Sequence, residues 1–265
     1  MKSLFSYIAL SCYAMTALSC HHNLAPQTPA SIIQTPASVS MEITDTKGNT
    51  QLLGKACRKR LEQAPFGEWY NKNYDSYVVD STTASRLRSE LAGKQVMVFM
   101  GTWCGDSRRE VPRFYKILDY CGIDTGSIQL ITVAASAEQY KQSPGHEERG
   151  RDIFRVPDFI ALDHGKELGR VVESPVASLE KDLLSIAAGE AYTPKYPGEA
   201  LLAGLFHQEK IKKIRRQLPA VTEKLRPLVH SSGELESYAH VLDAAGDREK
   251  AGLVRELKTR LFPAG

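Results

Sequence analysis

The chain has 265 residues, 42% hydrophobic and 25% charged, with 34 basic against 31 acidic side chains and a formal net charge of +3. That length allows one sizeable core and a smaller module. The near balance of charge argues against a nucleic-acid partner.

Residues 1–20, "MKSLFSYIALSCYAMTALSC", read as an export signal: Lys2 gives a thin positive start, and the apolar stretch 4–18 is too short to span a bilayer. Ala17-Leu18-Ser19-Cys20 resembles the lipobox of bacterial lipoproteins, although Ala17 stands where the lipobox prefers leucine. The resemblance implies that Cys20 is lipidated and that the protein is exported, anchored to a membrane by lipid and periplasm-facing. An ordinary secretory signal cleaved nearby is the alternative. Residues 21–55 open with "HHNLAPQTPASIIQTPASVS", rich in Pro, Ser, Thr and Ala, and read as a flexible tether on which His21 and His22 carry no metal-site pattern. Cys12 leaves with the signal and Cys20 carries lipid, so the mature body holds Cys57, Cys104 and Cys121. An odd count in an oxidising compartment leaves at least one thiol free.

Residues 56–192 alternate strands and helices. Residues 58–74 predict an amphipathic helical entry interrupted by Pro65 and Gly67, residues 77–80 a short strand, and Ser81 the cap of a helix over 82–92 that Gly93 ends. "QVMVFM" at 95–100 is a continuous apolar run, the mark of a central strand buried on both faces. A helix over 107–120, closed by Gly122, a buried strand over 128–134 and a polar loop over 136–153 follow. Strands at 159–162 and 168–172 flank the turn Asp163-His164-Gly165-Lys166, and a helix over 179–188 closes the region. Alternation implies a parallel sheet and the last hairpin makes it mixed, an α/β class with helices on the faces.

The stretch "FMGTWCGDSRREVP" puts Trp103-Cys104 between the central strand and a helix, with Pro112 inside that helix and Val156-Pro157 just before the hairpin. These features, with the strand order, resemble the thioredoxin superfamily, more closely the thioredoxin-like lipoproteins of bacteria, over about residues 66–189. The resemblance implies a cis proline at Pro157 beside the thiol, with Trp103, Val156 and Pro157 forming the edge that binds an extended peptide. The chain also departs from the family. Ser107 stands where the resolving cysteine belongs, Asp106 replaces a common proline, Asp158 a common threonine, and Val98 the acid buried in the strand before the motif.

A cysteine at a helix N-terminus meets unpaired N–H groups and the positive end of the macrodipole, both of which favour the reactive thiolate. Arg108 and Arg109 add positive charge, Asp106 opposes it, and Ser107 is placed to offer its hydroxyl to the sulfur from three residues on. A hydroxyl does not exchange with a disulfide, so a dithiol reductase is excluded. Cys121 lies about 25 Å along the same helix, far beyond the roughly 7 Å between Cα atoms that a disulfide spans. Its pairing with Cys57 stays open. Glu173 reads as a solvated loop residue, and His146 and His164 have no metal-ligand spacing with a cysteine. No phosphate loop, nucleotide fingerprint or hydrolase elbow is present, so no metal or other cofactor is implied.

Residues 193–265 read as all helical. The basic run Lys210 to Arg216 reads as a solvated helix face, with contact to anionic lipid headgroups the sharper alternative. "ELESYAHVLDAAGDREKAGLVRELKTRLFP" resembles a single tetratricopeptide unit, with Leu235, Tyr238, Ala239, Leu242 and Ala251 inward and Gly246 at the turn. One such unit cannot bury its own face. It packs as a cap on the rest of the chain or offers a docking surface to a protein partner. Two functions follow from the whole: thiol-disulfide exchange with protein or small-molecule thiols and disulfides through Cys104, in an isomerase-like or monothiol manner, or a thioredoxin-fold module that binds peptides without turnover.

Overall fold

The run at 95–100 forms β3 (Gln95–Met100), a central strand of a six-stranded mixed sheet. The structure, a computed structural model, describes residues 40–44 and 48–263, all within one compact unit. The other strands are β1 (Ser40–Thr44), β2 (Thr50–Ala56), β4 (Ile128–Thr132), β5 (Asp158–Asp163) and β6 (Lys166–Val172), in the order β1-β2-β4-β3-β5-β6. β3 runs parallel to β4 and antiparallel to β5, with Val98 opposite Leu130 on one side and Phe159 on the other.

Alternation along β3 divides the core. Val96, Val98 and Met100 pack with Phe114, Ile117 and Leu118, while Met97 and Phe99 pack with Ile131, Val133, Ile153, Val156 and Ile160. The first face is covered by α1 (Arg58–Leu61), α2 (Gly67–Ser76), α3 (Ser81–Glu90), α4 (Gly105–Cys121) and α5 (Leu179–Ala187). Phe114 of α4 is fully buried against Phe159, ring centroids 5.0 Å apart, and burial of such a side chain stabilises by about 1.5–3 kcal/mol. α4 ends at Gly122, whose φ of 62° is the left-handed conformation that glycine adopts without strain.

Three expectations are corrected. The tether does not extend to residue 55: β1 and β2 form a hairpin that extends the sheet by antiparallel pairing of β2 with β4, burying Leu52 and Leu53. Residues 77–80 form no strand. Val78 is 88% exposed there, and β-branched side chains without a pairing neighbour do not make a strand. Asp80 rather than Ser81 caps the next helix, its carboxylate accepting from the Thr83 amide (3.2 Å) and hydroxyl (2.7 Å). The export signal, Cys20 and the tether up to residue 39 lie outside the described residues.

The C-terminal third is helical, as its pattern predicts: α6 (Pro197–Gln208), α7 (Ile211–Arg216), α8 (Leu218–Leu225), α9 (Ser232–Ala244) and α10 (Arg248–Leu261). Leu235, Tyr238, Ala239 and Leu242 of α9 share a core with Ala251, Leu253, Val254 and Leu257 of α10. The same cluster takes in Phe154 and Val172 from the sheet region, so the hairpin is packed as a cap on its own chain. Within the basic run, Lys213 is paired with Glu209 (2.6 Å) and Arg215 with Glu256 (2.9 Å). No helix among the described residues is long and apolar enough to cross a membrane.

Candidate functional site

β3 ends at Met100, and the chain turns through Gly101, Thr102 and Trp103 before α4 begins, leaving Cys104 as the N-cap residue. The Cys104 side chain makes no capping bond. Its thiol donates instead to the Val156 carbonyl at 3.2 Å, across 52 residues of sequence. The Val156-Pro157 peptide bond is cis. Cys104 is half-buried, whereas Val156 is only 2% exposed and packs in the second sheet core with Trp103 and Cys104 at its edge. The structure therefore joins four of the residues singled out in the sequence, Trp103, Cys104, Val156 and Pro157, at one end of β3 and β5.

Trp103 is fixed by three contacts. Its indole N–H donates to the Val133 carbonyl (2.9 Å), its ring lies 5.9 Å from that of Tyr140, and its other face covers Gly101. A Cβ on residue 101 would stand 2.5 Å from the indole, so glycine is needed there for close approach.

Ser107 is not on the sulfur. It is fully buried, and its hydroxyl accepts from the Gly101 amide at 3.2 Å, tying the end of β3 to the first turn of α4. No hydrogen bond joins Ser107 and Cys104 among the described residues. Asp106 is neutralised by Arg109 (2.5 Å), which also binds Glu110 (2.6 Å). Arg108 is committed to the Thr102 carbonyl (2.6 Å) and lies over the Trp69 ring. Both arginines are thus engaged at the start of α4, Arg109 by carboxylates and Arg108 by a backbone carbonyl and an indole ring. The other thiols stand apart. Cys57 is exposed and Cys121 is buried, donating to the Ala84 carbonyl (3.2 Å); neither is in a disulfide. Burial pushes the Cys121 thiol up.

Behind the Val156 loop lies a set of buried charges that the sequence does not announce. Arg155 faces Glu173 (3.7 Å) and Glu199 (3.6 Å) and lies over the Tyr196 ring. Glu173 is not a solvated loop residue: its amide donates to the Pro157 carbonyl (2.7 Å), and its carboxylate accepts from the Tyr196 hydroxyl. Lys141, 3% exposed, donates to the Phe154 carbonyl (2.7 Å) and, at 3.4 Å, to Ser237 of α9, with its ammonium over the Tyr140 ring. Burial lowers it to about 7, Arg155 adding to the shift and Cys104, Glu173 and Glu199 opposing it. Asp158, directly after the cis proline, is buried against Arg170 (2.9 Å), and burial pushes its carboxyl up to about 7. Lys141, Arg155, Tyr196 and Glu199 are the neighbours that sequence reasoning missed.

Glu199 yields a pH prediction. It is fully buried in the first turn of α6, and neither carboxylate oxygen has a hydrogen-bond partner among the described residues. Burial raises it from 4.5 to about 7, against the pull of Arg155. The folded state then holds a proton that the unfolded chain has released between those values, so this stability is present below pH 4.5 and lost as pH rises through 7. Glu199→Gln fixes the neutral form. Urea melts of the variant are expected to gain about 2–3 kcal/mol on wild type between pH 5 and pH 8. A difference that does not change with pH contradicts the assignment.

In comparisons with known proteins, the chain matches no family model, no curated protein and no solved structure.

Proposed function

We propose that the chain is an exported, lipid-anchored, thioredoxin-like protein whose Cys104 exchanges disulfides through a mixed-disulfide intermediate. The observation that carries this reading is the Cys104 sulfur at the N-cap of a 17-residue helix, 3.2 Å from the carbonyl of the residue before a cis proline. The attacking species in disulfide exchange is the thiolate, and the sulfur sits at the N-terminal end of α4, where the helix dipole is positive.

The exchange balances without an external oxidant. The Cys104 thiolate attacks one sulfur of a substrate disulfide, forming a Cys104–substrate S–S bond and expelling the other substrate sulfur as thiolate. A second thiolate, from the substrate or a small molecule, attacks the substrate sulfur of the mixed disulfide. A new disulfide forms and Cys104 leaves as thiolate, so no net oxidation occurs. In the mixed disulfide Cys104 has no S–H, which frees the Val156 carbonyl to accept from an N–H of the bound peptide.

The reading as a peptide-binding module without turnover is favoured by one observation, the absence among the described residues of a second thiol beside Cys104, with Ser107 turned to Gly101. Reshuffling of a scrambled-disulfide protein in a glutathione buffer separates the two. Cys104→Ser is expected to abolish acceleration over buffer while leaving binding of the reduced, unfolded substrate within about twofold. Wild-type protein that binds but gives no acceleration supports the module and overturns the exchange reading.

A further inference from the structure

Positive charge is concentrated on two short helices of the C-terminal cap. Between Glu209 and Pro227 stand seven Lys and Arg side chains against two acids, in a chain whose formal net charge is +3 overall. Packing turns these cations outward. Ile214 of α7 and Leu218, Val221 and Leu225 of α8 are buried in the helical core, which leaves the charged side of both helices in water. Lys212 and Arg216, one turn apart, share the face of α7 that points away from Ile214.

The acids present do not neutralise this face. Glu209 takes Lys213 (2.6 Å) and Glu223 takes Arg226 (2.9 Å). Glu256 of α10 is shared between Arg215 (2.9 Å) and Arg260 (3.4 Å). Lys210, Lys212, Arg216 and Lys224 are exposed and form no ion pair among the described residues. Through Arg215 and Glu256 the basic band continues onto α10. There Arg260 and Arg226 line an open depression of about 460 Å³ together with Pro219 and Ala220 of α8.

Shape and composition select the partner. The unpaired cations are strung along two helices of about 9 and 12 Å, farther than one small anion reaches. No aromatic ring occurs between Glu209 and Pro227, so the bases of a single-stranded nucleic acid find no stacking surface. No large apolar side chain is exposed there either, which favours contact with headgroups over insertion among acyl chains. A plane of anionic headgroups offers each cation its own partner, at about fivefold in affinity per Lys or Arg. The inference rests on the lipid anchor of the proposed function for proximity: the twenty residues from Cys20 to the start of β1 span at most about 70 Å. We propose that the outer face of α7 and α8 docks the folded body on anionic phospholipid headgroups, with Lys210, Lys212, Arg216 and Lys224 as the contacting cations.

Co-sedimentation with vesicles tests it. Residues 21–265 contain the whole described fold and, made without the export signal, carry no lipid, so binding reports the face alone. In about 0.05 M NaCl, vesicles of phosphatidylglycerol and phosphatidylcholine in equal parts are expected to bind at least tenfold tighter than phosphatidylcholine alone, an advantage lost at about 0.5 M. The exposed triple variant Lys212→Gln, Arg216→Gln, Lys224→Gln is expected to weaken binding to the anionic vesicles at least twentyfold. Lys72→Gln, Lys166→Gln, Lys181→Gln removes the same charge from exposed positions on α2, β6 and α5, and is expected to stay within about threefold of the parent. Equal binding to both vesicles, or an equal loss in the two triple variants, overturns the proposal. So does tighter binding to a single-stranded oligonucleotide at the same phosphate concentration. The anchor is read separately, from the mass of the exported full chain: an unacylated Cys20 removes the anchor and leaves the vesicle result for the face standing.

Discussion

Replacing Ser107 by cysteine is expected to turn a one-thiol site into one that closes an internal disulfide with Cys104. Residues three apart at a helix start are neighbours, and their Cα separation of about 5–6 Å falls in the range a disulfide spans. The wild-type hydroxyl accepts from the buried Gly101 amide, and sulfur accepts weakly, so the reduced variant is expected to lose about 1 kcal/mol in urea melts. In exchange it gains an intramolecular route for resolving a mixed disulfide. Insulin reduction by dithiothreitol, which wild type is expected not to accelerate, should then proceed at least tenfold faster with Ser107→Cys. Mass spectrometry without reductant should show the chain two mass units lighter. A variant that keeps both thiols free under air shows that the side chain at 107 stays turned to Gly101 and does not reach the Cys104 sulfur.

Lys141→Met is expected to stabilise the protein at neutral and acidic pH, the reverse of the usual result for a buried side chain. Lys141 is lowered from 10.5 to about 7, burial being the largest cause. Between those values the unfolded chain holds a proton that the folded chain has released, so wild-type stability rises with pH across the window and the penalty is complete below it. The charges that act on the ammonium come from several elements: Arg155 from the approach to β5, Cys104 from the N-cap of α4, Glu173 after β6 and Glu199 from α6. Methionine keeps the stem but deprives the Phe154 carbonyl of its donor, a cost of about 1–2 kcal/mol at every pH. Removal of the buried charge outweighs this below pH 7 by about 2–3 kcal/mol. Urea melts should therefore show the variant more stable at pH 6 and less stable at pH 10. A difference of constant sign and size shows that Lys141 keeps its proton throughout and reaches solvent.

The β1–β2 hairpin, Lys141 and Glu173 escape the sequence for a common reason: what pairs with or buries each lies far along the chain. "QVMVFM" was legible because six residues buried on both faces leave an unbroken apolar signature. The helix after Cys104 and the hairpin after Pro157 were legible from Gly122 and from Asp163-His164-Gly165-Lys166. The β1–β2 hairpin was not: only Leu52 and Leu53 mark β2 as buried, and its pairing with β4 lies about eighty residues further on. Lys141 was illegible for the same reason. In a polar loop a lysine reads as solvated, and what buries it, α9 with Ser237, arrives 96 residues later. Glu173 likewise became a partner of Arg155 and Tyr196 only through the docking of α6. At the site itself the sequence located Trp103, Cys104, Val156 and Pro157 together, but three-residue spacing misplaced Ser107. Its hydroxyl turns inward because the Gly101 amide, buried at the strand end, has to be satisfied.

The central claim is that position, and not exposure, makes one of the three described thiols the exchanging one. Exposed Cys57 provides the reference within the same molecule. Purified protein mixed with a disulfide-linked peptide, quenched in acid at successive times and mapped by mass spectrometry, reports the rate of mixed-disulfide formation at each cysteine. Capture at Cys104 at least tenfold faster than at Cys57, reversed by a small thiol, is the result predicted here; capture at Cys57 as fast as at Cys104 or faster contradicts it.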